Sequence, residues 1–385
     1  MRLLDIISYS YGIFFVALQS AVILGIFLEW RRDRRALATR PGASGERKVS
    51  IIIPARDEER RIPGLLESLL EQDINAQVIF VDDGSLDETP AMLADFARKA
   101  RERGSLDCRI LRLDENPGPN RKQRALSAGI AEAGGDLLLF TDADCELPPG
   151  WARAMAERMN DEKIGALIGP VFKKKPGRGF FFLFQCYDHA IRYNYLAGST
   201  GLGAAGGGFG NNLAVSRAAL DAVGGYDAVP ASPTEDAALV SLLRSKGYKV
   251  RAAATGDVAV QTCAERTWRA FVGQTLRWNN GGLFSPEPVT RFCYNLLMLL
   301  IAAGALAVPL LPFFPGLWPL PAAGLVVMIQ NTAAAFAFFG KSLPKGGPAR
   351  LGYLPALLFA QAYFTLLTLM GYLGAKARWK GKKVG

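Results

Sequence analysis

The apolar positions of this chain follow two different patterns. Ile6 to Leu28 carries no charge and is about long enough to cross a bilayer. Leu296 to Phe339 is also apolar, but prolines near its middle predict two spans joined by a short hairpin. Leu354 to Leu373 predicts one more span. Between these regions, short apolar runs alternate with segments of helical spacing, which indicates a domain of a different kind.

The alternating region predicts a set of strands and helices. The predicted strands are Val49–Ile53, Gln77–Val81, Arg109–Leu113 and Asp136–Phe140, and the predicted helices are Ile62–Leu70, Thr89–Arg103 and Lys122–Ala133. Strands that alternate with helices form a mostly parallel, Rossmann-like α/β sheet, with helices on both faces and ligands at the carboxyl ends of the strands. The polar segments fall at those ends, namely 54–59, 82–87 and 142–146.

The second half of this region is less regular. Phe180–Tyr195 is aromatic-rich and contains His189 and Arg192; it is either a helix at the membrane surface, which its amphipathic mix favours, or a core helix. The glycine-rich segment Gly201–Gly210 lacks the GK[ST] ending of a phosphate loop and follows no evident strand. We therefore expect a flexible loop that faces the substrate.

Charge places the chain at a membrane rather than on nucleic acid. The formal net charge is +10, but basic residues concentrate beside the apolar spans. They are Arg31, Arg32, Arg34 and Arg35 after the first span, and Arg378, Lys380, Lys382 and Lys383 after the last. Such flanks are typical of cytoplasmic anchors and of contacts with anionic lipid. Nucleic acid is therefore not an expected partner.

The first span is interpreted as a permanent anchor. A cleaved signal peptide is the competing interpretation, since Ala36-Leu37-Ala38 resembles a cleavage site. However, the apolar run is too long and that tripeptide lies behind the arginines. The five scattered cysteines include no CxxC pair, so neither a zinc site nor a disulfide framework is indicated.

The expected domain organisation has four parts. Residues 1–30 form the anchor, 31–47 a basic linker, 48–285 the α/β domain with interfacial segments, and 286–385 a region of about three spans with a basic tail. Four crossings would place that tail on the side opposite to the first arginine cluster, which conflicts with the positive-inside tendency. Either the tail breaks the tendency, or one of the proline-rich spans is re-entrant.

The segment Gly134–Trp151 carries the clearest candidate chemistry. A buried apolar run ends in Thr141 and then in two acids, Asp142 and Asp144, with Ala143 between them. Alternate side chains of a strand share a face, so both acids are expected to leave the strand end side by side while Ala143 turns inward. Paired carboxylates suit Mg²⁺ or Mn²⁺, which take the rest of their ligands from water and substrate phosphates. The alternative is an acidic turn that faces water.

Five motifs follow one another in a fixed order. They are PARDE at 54–58, VDDGSLDET at 81–89, TDAD at 141–144, PTED at 233–236 and QTLRW at 274–278. In this order the chain, over roughly Lys48 to Gly282, resembles the family 2 glycosyltransferases of the GT-A fold, in particular their membrane-bound QxxRW branch. The segment GNNLAVSRAALDAVGGYD at 210–227 resembles the acceptor-side segment of that family.

The resemblance implies a role for each matching residue. Pro54, Arg56 and Glu58 would border the nucleotide, and Asp82 would hold the uracil edge. Asp142 and Asp144 would bind the ribose and the metal on the diphosphate. Asp236 would be the general base. Gln274, Arg277 and Trp278 would close over the donor diphosphate and the acceptor.

The chemistry of sugar transfer leads to similar assignments. A departing diphosphate needs a metal and a cation, for which Asp144 and Arg277 are candidates. The acceptor hydroxyl needs a base, and Asp236 is the first candidate with Glu235 as the second. These two acids also fit the first turn of a helix capped by Thr234, and both interpretations can hold together.

Other polar residues have simpler interpretations. Lys122 either touches the donor or begins a solvated helix, and QTLRW is also compatible with an ordinary interfacial helix whose tryptophan lies in the aromatic belt. His189 is assigned to packing or a surface polar contact. The run Lys173-Lys174-Lys175 is assigned to lipid headgroups rather than to a donor site.

Together these features predict an integral protein of the inner (plasma) membrane with a cytosolic GT-A domain. It would use Mg²⁺ or Mn²⁺ to move a sugar from a UDP-sugar to a membrane lipid hydroxyl, with inversion, and it is similar in layout to ceramide glucosyltransferases and bacterial lipid or carotenoid glycosyltransferases. Two alternatives remain: a processive polysaccharide synthase of the cellulose, chitin or hyaluronan type, and an inactive membrane scaffold.

Overall fold

The structure is a computed structural model that describes residues 3–38, 47–104, 106–114, 121–174, 179–204, 206–230, 234–343, 347–375, 377–379 and 382–384. The predicted linker segment 39–46, Pro233 of the PTED motif and Lys175 lie outside these residues. The described chain divides into two compact units. A helical unit comprises 1–28, 175–206 and 264–385, and an α/β unit comprises 29–174 and 207–263.

The helices and strands are as follows. The α-helices are α1 (Leu3–Ala38), α2 (Pro63–Leu70), α3 (Thr89–Arg103), α4 (Arg121–Glu132), α5 (Trp151–Arg158), α6 (Phe180–Gly201), α7 (Arg217–Ala222), α8 (Glu235–Ser245), α9 (Trp268–Leu283), α10 (Pro288–Ala307), α11 (Pro319–Phe339) and α12 (Gly347–Tyr372). The strands are β1 (Val49–Ala55), β2 (Ala76–Asp82), β3 (Leu106–Arg112), β4 (Leu137–Phe140), β5 (Cys145–Glu146), β6 (Ile164–Ile168), β7 (Val171–Lys173), β8 (Leu213–Ser216), β9 (Lys249–Ala252), β10 (Val260–Thr262), β11 (Ala377–Trp379) and β12 (Lys382–Val384).

The α/β unit is built on a seven-stranded sheet in the order β3-β2-β1-β4-β8-β6-β9. Strands β3, β2, β1 and β4 are parallel, β8 is antiparallel to both of its neighbours, and β6 is parallel to β9. Strands β1, β2 and β4 are almost entirely buried and read as continuous apolar runs, as expected for strands covered on both faces. The prediction of a mostly parallel α/β sheet is confirmed.

Several element boundaries differ from the predicted ones for physical reasons. Strand β1 does not stop at Pro54 but continues to Ala55, because β4 pairs only as far as Ile52 and Pro54 has just one neighbouring strand. Strand β3 begins three residues earlier than predicted, at Leu106. β3 is the edge strand of the sheet and has several exposed residues. Its first residues therefore lack the continuous apolar run from which the other strands were predicted.

A small second sheet places residues next to the acidic turn. Strand β10 pairs antiparallel with β5 and parallel with β7. In the first pairing Thr262 lies opposite Cys145, the residue that follows Asp144. This sheet also corrects the assignment of Lys173 to lipid headgroups, whereas for Lys174 that assignment stays a prediction. Lys173 is buried and donates to the carbonyl of Cys263 at 3.1 Å, and Lys174 pairs with Glu146.

Among the residues that the structure describes, four helices are long and apolar enough to cross a membrane: Leu3–Ala38, Pro288–Leu310, Pro315–Phe339 and Pro355–Tyr372. The predicted hairpin between the second and third is present, since α10 and α11 are separated by short 3₁₀ turns around the prolines. Helix α1 is longer than predicted. It continues through the arginine cluster to Ala38, because Arg and Ala are good helix formers.

Helix α6 is a core helix, and the favoured interpretation as a membrane-surface helix is wrong. Most of its side chains are buried, including Phe184, Asp188 and Tyr193. Its glycines allow α1 to approach closely: a Cβ on Gly198 would lie 2.4 Å from the carbonyl oxygen of Val22. Small residues at helix contacts are typical of membrane bundles.

The last turns of α1 are held by buried charges of the α/β unit. Glu29 accepts a hydrogen bond from Arg251 Nε at 2.6 Å, and Asp33 accepts one from the backbone N–H of Ala254 at 2.8 Å. The guanidinium of Arg158 lies 3.5 Å from Asp33 and 2.7 Å from Asp257. The residues after Leu28 are therefore an integral part of the α/β unit rather than a loose tether.

We expect Arg158→Met to destabilise the protein strongly. The Arg158 side chain is 1% exposed, and removing one partner of a buried ion pair costs roughly 3–5 kcal/mol. The thermal midpoint of the purified protein in detergent measures the effect. Arg153→Met on the same helix is the matched control, because its pair with Asp73 is exposed and such pairs are worth at most about 1 kcal/mol. Equal shifts in both variants would contradict the assigned role of the buried cluster.

Candidate active site

The two acids of the TDAD motif leave the sheet from a turn. Strand β4 ends at Phe140, so Asp142 and Asp144 lie in the turn that follows rather than on the strand itself. Ala143 is buried at 3% exposure, as predicted, while the side chains of Asp142 and Asp144 are 31% and 22% exposed. Both carboxylates are thus open to a ligand while the residue between them anchors the turn.

Each of these carboxylates faces a different cation. Lys122 Nζ lies 2.9 Å from Asp142 Oδ1, and Arg61 Nη1 lies 3.9 Å from Asp144 Oδ2. Thr262 Oγ1 also donates to Asp144 Oδ2 at 3.2 Å. The sequence analysis identified neither Arg61 nor Thr262 as a neighbour of Asp144. Thr262 follows Asp144 by 118 residues and becomes its neighbour only through the pairing of β10 with β5.

Lys122 links the acidic turn to the start of α8. Its Nζ lies 3.3 Å from Glu235 Oε1 as well as 2.9 Å from Asp142. Burial lowers the pKa of Lys122, but the charges of Asp142, Glu235 and Asp236 and the hydrogen bond to Asp142 outweigh it and raise the pKa above its ordinary value. Lys122 therefore stays charged between Asp142 and Glu235, and its contact with a donor stays a prediction.

Asp236 lies in the first turn of α8 and is held by two backbone N–H groups. Its Oδ2 accepts from Gly210 at 2.7 Å and its Oδ1 from Ala237 at 2.8 Å. A Cβ on Gly208 would lie 2.8 Å from the backbone of Asp236. A residue with a side chain at this position would therefore clash with Asp236, so the close approach requires glycine. Thr234 precedes the helix as predicted, although its side chain makes no capping hydrogen bond.

Glu235 is placed differently from its neighbour. It is 6% exposed and faces Lys122, whereas Asp236 is only partly buried beside the glycine segment. The two acids are successive residues of a helix, so they point about 100° apart. The two candidate bases therefore have different surroundings: Glu235 is buried beside Lys122, and Asp236 lies partly exposed beside Gly210.

Hydrogen bonds connect the loops that follow β1 and β2 at the same edge of the sheet. Arg56 Nη1 donates to the carbonyl of Asp83 at 2.7 Å, and Asp82 Oδ1 accepts from Ser85 N at 2.9 Å. Asp82 is 1% exposed, and Arg112 Nε lies 3.8 Å from its Oδ2. Glu58 pairs with Arg61 at 2.7 Å. Pro54 lies in β1 just before this loop.

Asp83 is the centre of a cationic group that sequence reasoning missed. Arg121 Nε lies 2.7 Å from its Oδ2, and Arg124 Nη2 lies 2.7 Å from its Oδ1. With Arg56 at 3.8 Å, three guanidinium groups surround one carboxylate. The only sequence signal was the basic run RKQR at 121–124. Around Asp83 the guanidinium groups therefore outnumber the carboxylate, and such local positive charge suits an anionic ligand.

The QTLRW residues lie on α9 in the helical unit. Gln274, Arg277 and Trp278 are spaced i, i+3 and i+4, so they share one face of the helix. The Trp278 ring packs edge-on against His189, with centroids 5.2 Å apart, and Arg192 lies over the same ring at 5.6 Å. This confirms packing as the role of His189. The closure of α9 over a donor stays a prediction.

The carboxylate oxygens of the acidic turn fit a hard divalent cation that takes its remaining ligands from a substrate. Asp142 and Asp144 offer partly exposed carboxylate oxygens. Within the described parts of the chain, no group of three His, Cys, Asp or Glu side chains is arranged to hold a metal. A metal held here would therefore complete its coordination with water and phosphate oxygens, as Mg²⁺ does.

Comparison with known families agrees with this geometry. The profile of the family described as "Glycosyl transferase family 2" matches residues 50–224, a range that runs from β1 to the end of α7 and includes the acidic turn. Residues 50–224 thus match the domain of the family 2 glycosyltransferases. The earlier resemblance is thereby confirmed, and the domain supplies the expected mixed sheet with its acidic loops at one edge.

Relatives and solved structures extend the comparison. A probable glycosyltransferase of Bacillus subtilis, YdaM, is 26% identical over 66% of this chain and 58% of that protein. An undecaprenyl-phosphate 4-deoxy-4-formamido-L-arabinose transferase of Enterobacter is 37% identical over 26% of this chain and 30% of that protein. The chain thus matches less than two thirds of the length of either relative.

The fold is shared with a solved enzyme along nearly its full length. The mannosyltransferase PcManGT of Pyrobaculum calidifontis, solved with GDP-Man and Mn²⁺, matches over 96% of this chain and 99% of its own, with a TM-score of 0.53 and 20% identity. At this identity the likeness concerns the fold. The GT-A assignment for the glycosyltransferase domain is confirmed.

We expect the stabilisation by Lys122 to be independent of pH over the physiological range. Because its pKa is raised above the unfolded value of about 10.4, its contribution is complete below that pH and is lost only as pH rises through the folded pKa. The difference in thermal midpoint between the parent and Lys122→Met should thus be constant from about pH 6 to 9. Lys249→Met, which affects an exposed pair with Asp161, should change the midpoint little. A difference that vanishes within this range would contradict the assignment.

Proposed function

We propose that this glycosyltransferase is embedded in a membrane and transfers a sugar, with inversion, from a UDP-sugar to the hydroxyl of a membrane lipid. One observation carries the proposal. Lys122 joins the acidic turn at Asp142 to the start of α8 at Glu235, which brings a candidate metal site and a candidate base to the same part of the α/β unit. Such a pairing is what transfer from a sugar diphosphate requires.

The donor would lie along the carboxyl edge of β1, β2 and β4. Asp82 would hold the uracil edge, with Pro54, Arg56 and Glu58 beside the nucleotide. The guanidinium groups around Asp83 support this placement, because they leave positive charge beside the loops. Asp142 would bind the ribose and share the metal with Asp144.

The metal proposed here is Mg²⁺ or Mn²⁺. When bound, it would offset the negative charge that develops on the leaving diphosphate. The chain itself would supply Lys122 near the sugar and Asp144 as a ligand fixed by Thr262. The Mn²⁺ that accompanies GDP-Man in the mannosyltransferase PcManGT supports the choice of a divalent cation.

Asp236 is the proposed general base. The acceptor hydroxyl would pass its proton to Asp236 as its oxygen bonds to the anomeric carbon, and the bond from that carbon to the diphosphate oxygen would break. Asp236 retains acceptor capacity, since each carboxylate oxygen has a second lone pair beside its backbone hydrogen bond. Glu235 is less suitable because it is buried against Lys122. Gln274, Arg277 and Trp278 share one face of α9, and their contact with a donor stays a prediction.

The lipid acceptor is supported by the helical unit and by the relatives. Four helices of the described chain have the length and composition of spans. The relatives include a 4,4'-diaponeurosporenoate glycosyltransferase of Staphylococcus haemolyticus, 32% identical over 33% of this chain. We place the protein in the inner (plasma) membrane with its glycosyltransferase domain in the cytosol, on the side expected for the Arg31–Arg35 cluster.

We expect Asp144→Ala and Asp236→Asn each to remove sugar transfer. The first loses a metal ligand, and the second loses a base whose contribution is typically about 10²–10⁴-fold in rate. Transfer from radiolabelled UDP-sugars into the lipid extract of membranes, with EDTA and Mn²⁺ arms, measures both. Asp161→Asn is the control, because Asp161 lies on an exposed turn outside the site. Full activity in Asp236→Asn would exclude its role as base, and turnover in EDTA would exclude the metal.

The size of the product separates the proposed function from its main alternative. Purified protein with a labelled UDP-sugar and membranes should give one discrete glycolipid band on thin-layer chromatography. A high-mass polymer would instead indicate a processive polysaccharide synthase. Transfer from GDP-sugars alone would reject the assigned donor, and binding of nucleotide sugars without any turnover would support an inactive scaffold.

A further inference from the structure

The ends of three helices meet at one place in the helical unit. Helix α9 ends at Leu283, α10 begins at Pro288, and α12 ends at Tyr372. The hydroxyl of Tyr372 donates a hydrogen bond to Asn295 in the second turn of α10, and its ring packs edge-on against Phe284 with centroids 5.9 Å apart. One candidate span begins at Pro288 and another ends at Tyr372. In a membrane such span ends lie at the level of the lipid headgroups.

An open groove of about 540 Å³ lies at this junction, a volume within the range of small-molecule sites. Its lining combines the buried Leu283 with the rings of Phe284 and Phe292, which are 53% and 67% exposed. Helix α10 contributes four lining residues that share one of its faces, namely Pro288, Arg291, Phe292 and Asn295. Adjoining exposed rings of this kind mark a surface that binds an apolar partner.

Arg291 is the only charged residue among the described residues that line the groove. Its Nη1 donates to the carbonyl of Ser285 at 3.0 Å, and it pairs with no carboxylate in the described parts of the chain. A guanidinium has five N–H donors, so most of them remain for a ligand. The acid nearest in sequence, Glu287, caps α10 by accepting from the backbone N–H groups of Val289 and Thr290 at 3.1 and 2.6 Å. The groove therefore carries a positive charge.

The other polar side chains of the groove bond to one another and to the backbone. The amide nitrogen of Asn295 donates to the carbonyls of Leu283 at 2.9 Å and Arg291 at 2.8 Å, and its amide oxygen accepts from Tyr372. These bonds connect the ends of α9, α10 and α12. They leave Arg291 as the side chain that can recognise a polar group of a ligand, beside walls that are otherwise apolar.

We propose that this groove binds an anionic phospholipid of the bilayer, with its phosphate on Arg291 and an acyl chain along Phe284 and Phe292. Guanidinium groups bind phosphate oxygens in a bidentate geometry, and basic pockets between spans bind anionic headgroups. A zwitterionic lipid fits less well, because the lining offers no carboxylate to its cationic group. The bound lipid contacts all three helix ends, so it stabilises the folded protein. The proposal goes beyond sugar transfer and rests on the membrane embedding proposed above.

Binding of phosphatidylglycerol to the full-length protein in a nonionic detergent tests the proposal. Native mass spectrometry measures the bound lipid, and the thermal midpoint measures the stabilisation. Phosphatidylglycerol should bind and raise the midpoint, whereas phosphatidylcholine and inorganic phosphate should change it little. Arg291→Met should weaken the binding of phosphatidylglycerol by about tenfold or more, because it removes a charged hydrogen-bond donor. Arg269→Met is the matched control, since Arg269 is an exposed arginine of α9 outside the groove.

A second variant keeps the contact between Arg291 and Ser285. Phe292→Glu places a negative charge in the groove at an exposed position, so it should remove the shift of the midpoint by phosphatidylglycerol. Phe313→Glu should keep that shift, because Phe313 is 75% exposed in the hairpin between α10 and α11, outside the groove. If Arg291→Met does not fold, Phe292→Glu decides.

Three results would overturn the proposal. They are equal shifts with phosphatidylcholine and phosphatidylglycerol, a shift with inorganic phosphate as large as that with the lipid, and undiminished binding of phosphatidylglycerol by Phe292→Glu or by folded Arg291→Met. None of these measurements requires turnover. Failure of this inference is therefore distinguishable from failure of the proposed function, which the transfer of radiolabelled sugar measures.

Discussion

The α/β unit depends on ion pairs that hold several carboxylates close together at one edge of its sheet. Without these cations the carboxylates would repel one another. Parallel strands deliver their acidic loops to one edge, so Asp83, Asp142 and Asp144 accumulate there. Cations from other segments offset the repulsion. Lys122 lies between Asp142 and Glu235, and the guanidinium groups of α4 surround Asp83. The same cations leave the edge suited to an anionic diphosphate.

The helical unit meets a different constraint, since in lipid its helices gain little from hydrophobic burial and must associate through close packing. Gly25 and Gly198 let the backbones of α1 and α6 approach so closely that a Cβ on Gly25 would lie 2.0 Å from the carbonyl oxygen of Gly198. Aromatic rings fill the space around α6, α9 and α12, with Phe184 packed on Phe271 and Tyr363. Some polar side chains bond between helices, as in the hydrogen bond from Tyr294 to Asn279. Such packing allows the polar helix α9 to lie within an otherwise apolar bundle.

Helix α1 is subject to both constraints. Its first part packs by small residues in the helical unit, and its last turns bury Glu29 and Asp33 in the α/β unit. Buried charges need specific partners, which Arg251 and Arg158 provide. The last turns of α1 are therefore a part of the α/β unit, and removing them would leave Arg158 and Arg251 without those carboxylates.

Local pattern determined the elements of this protein and the identity of its acidic motifs. The apolar runs of β1, β2 and β4, the buried Ala143 and the acids at the start of α8 follow from periodicity and residue type, which depend only on near neighbours. Tertiary structure alone decided which distant residues meet. The pairing of Lys122 with Glu235, the hydrogen bond from Thr262 to Asp144 and the end of α12 beside α10 join segments far apart in the chain. Such contacts arise from strand order and helix packing, which leave no periodic trace in the sequence.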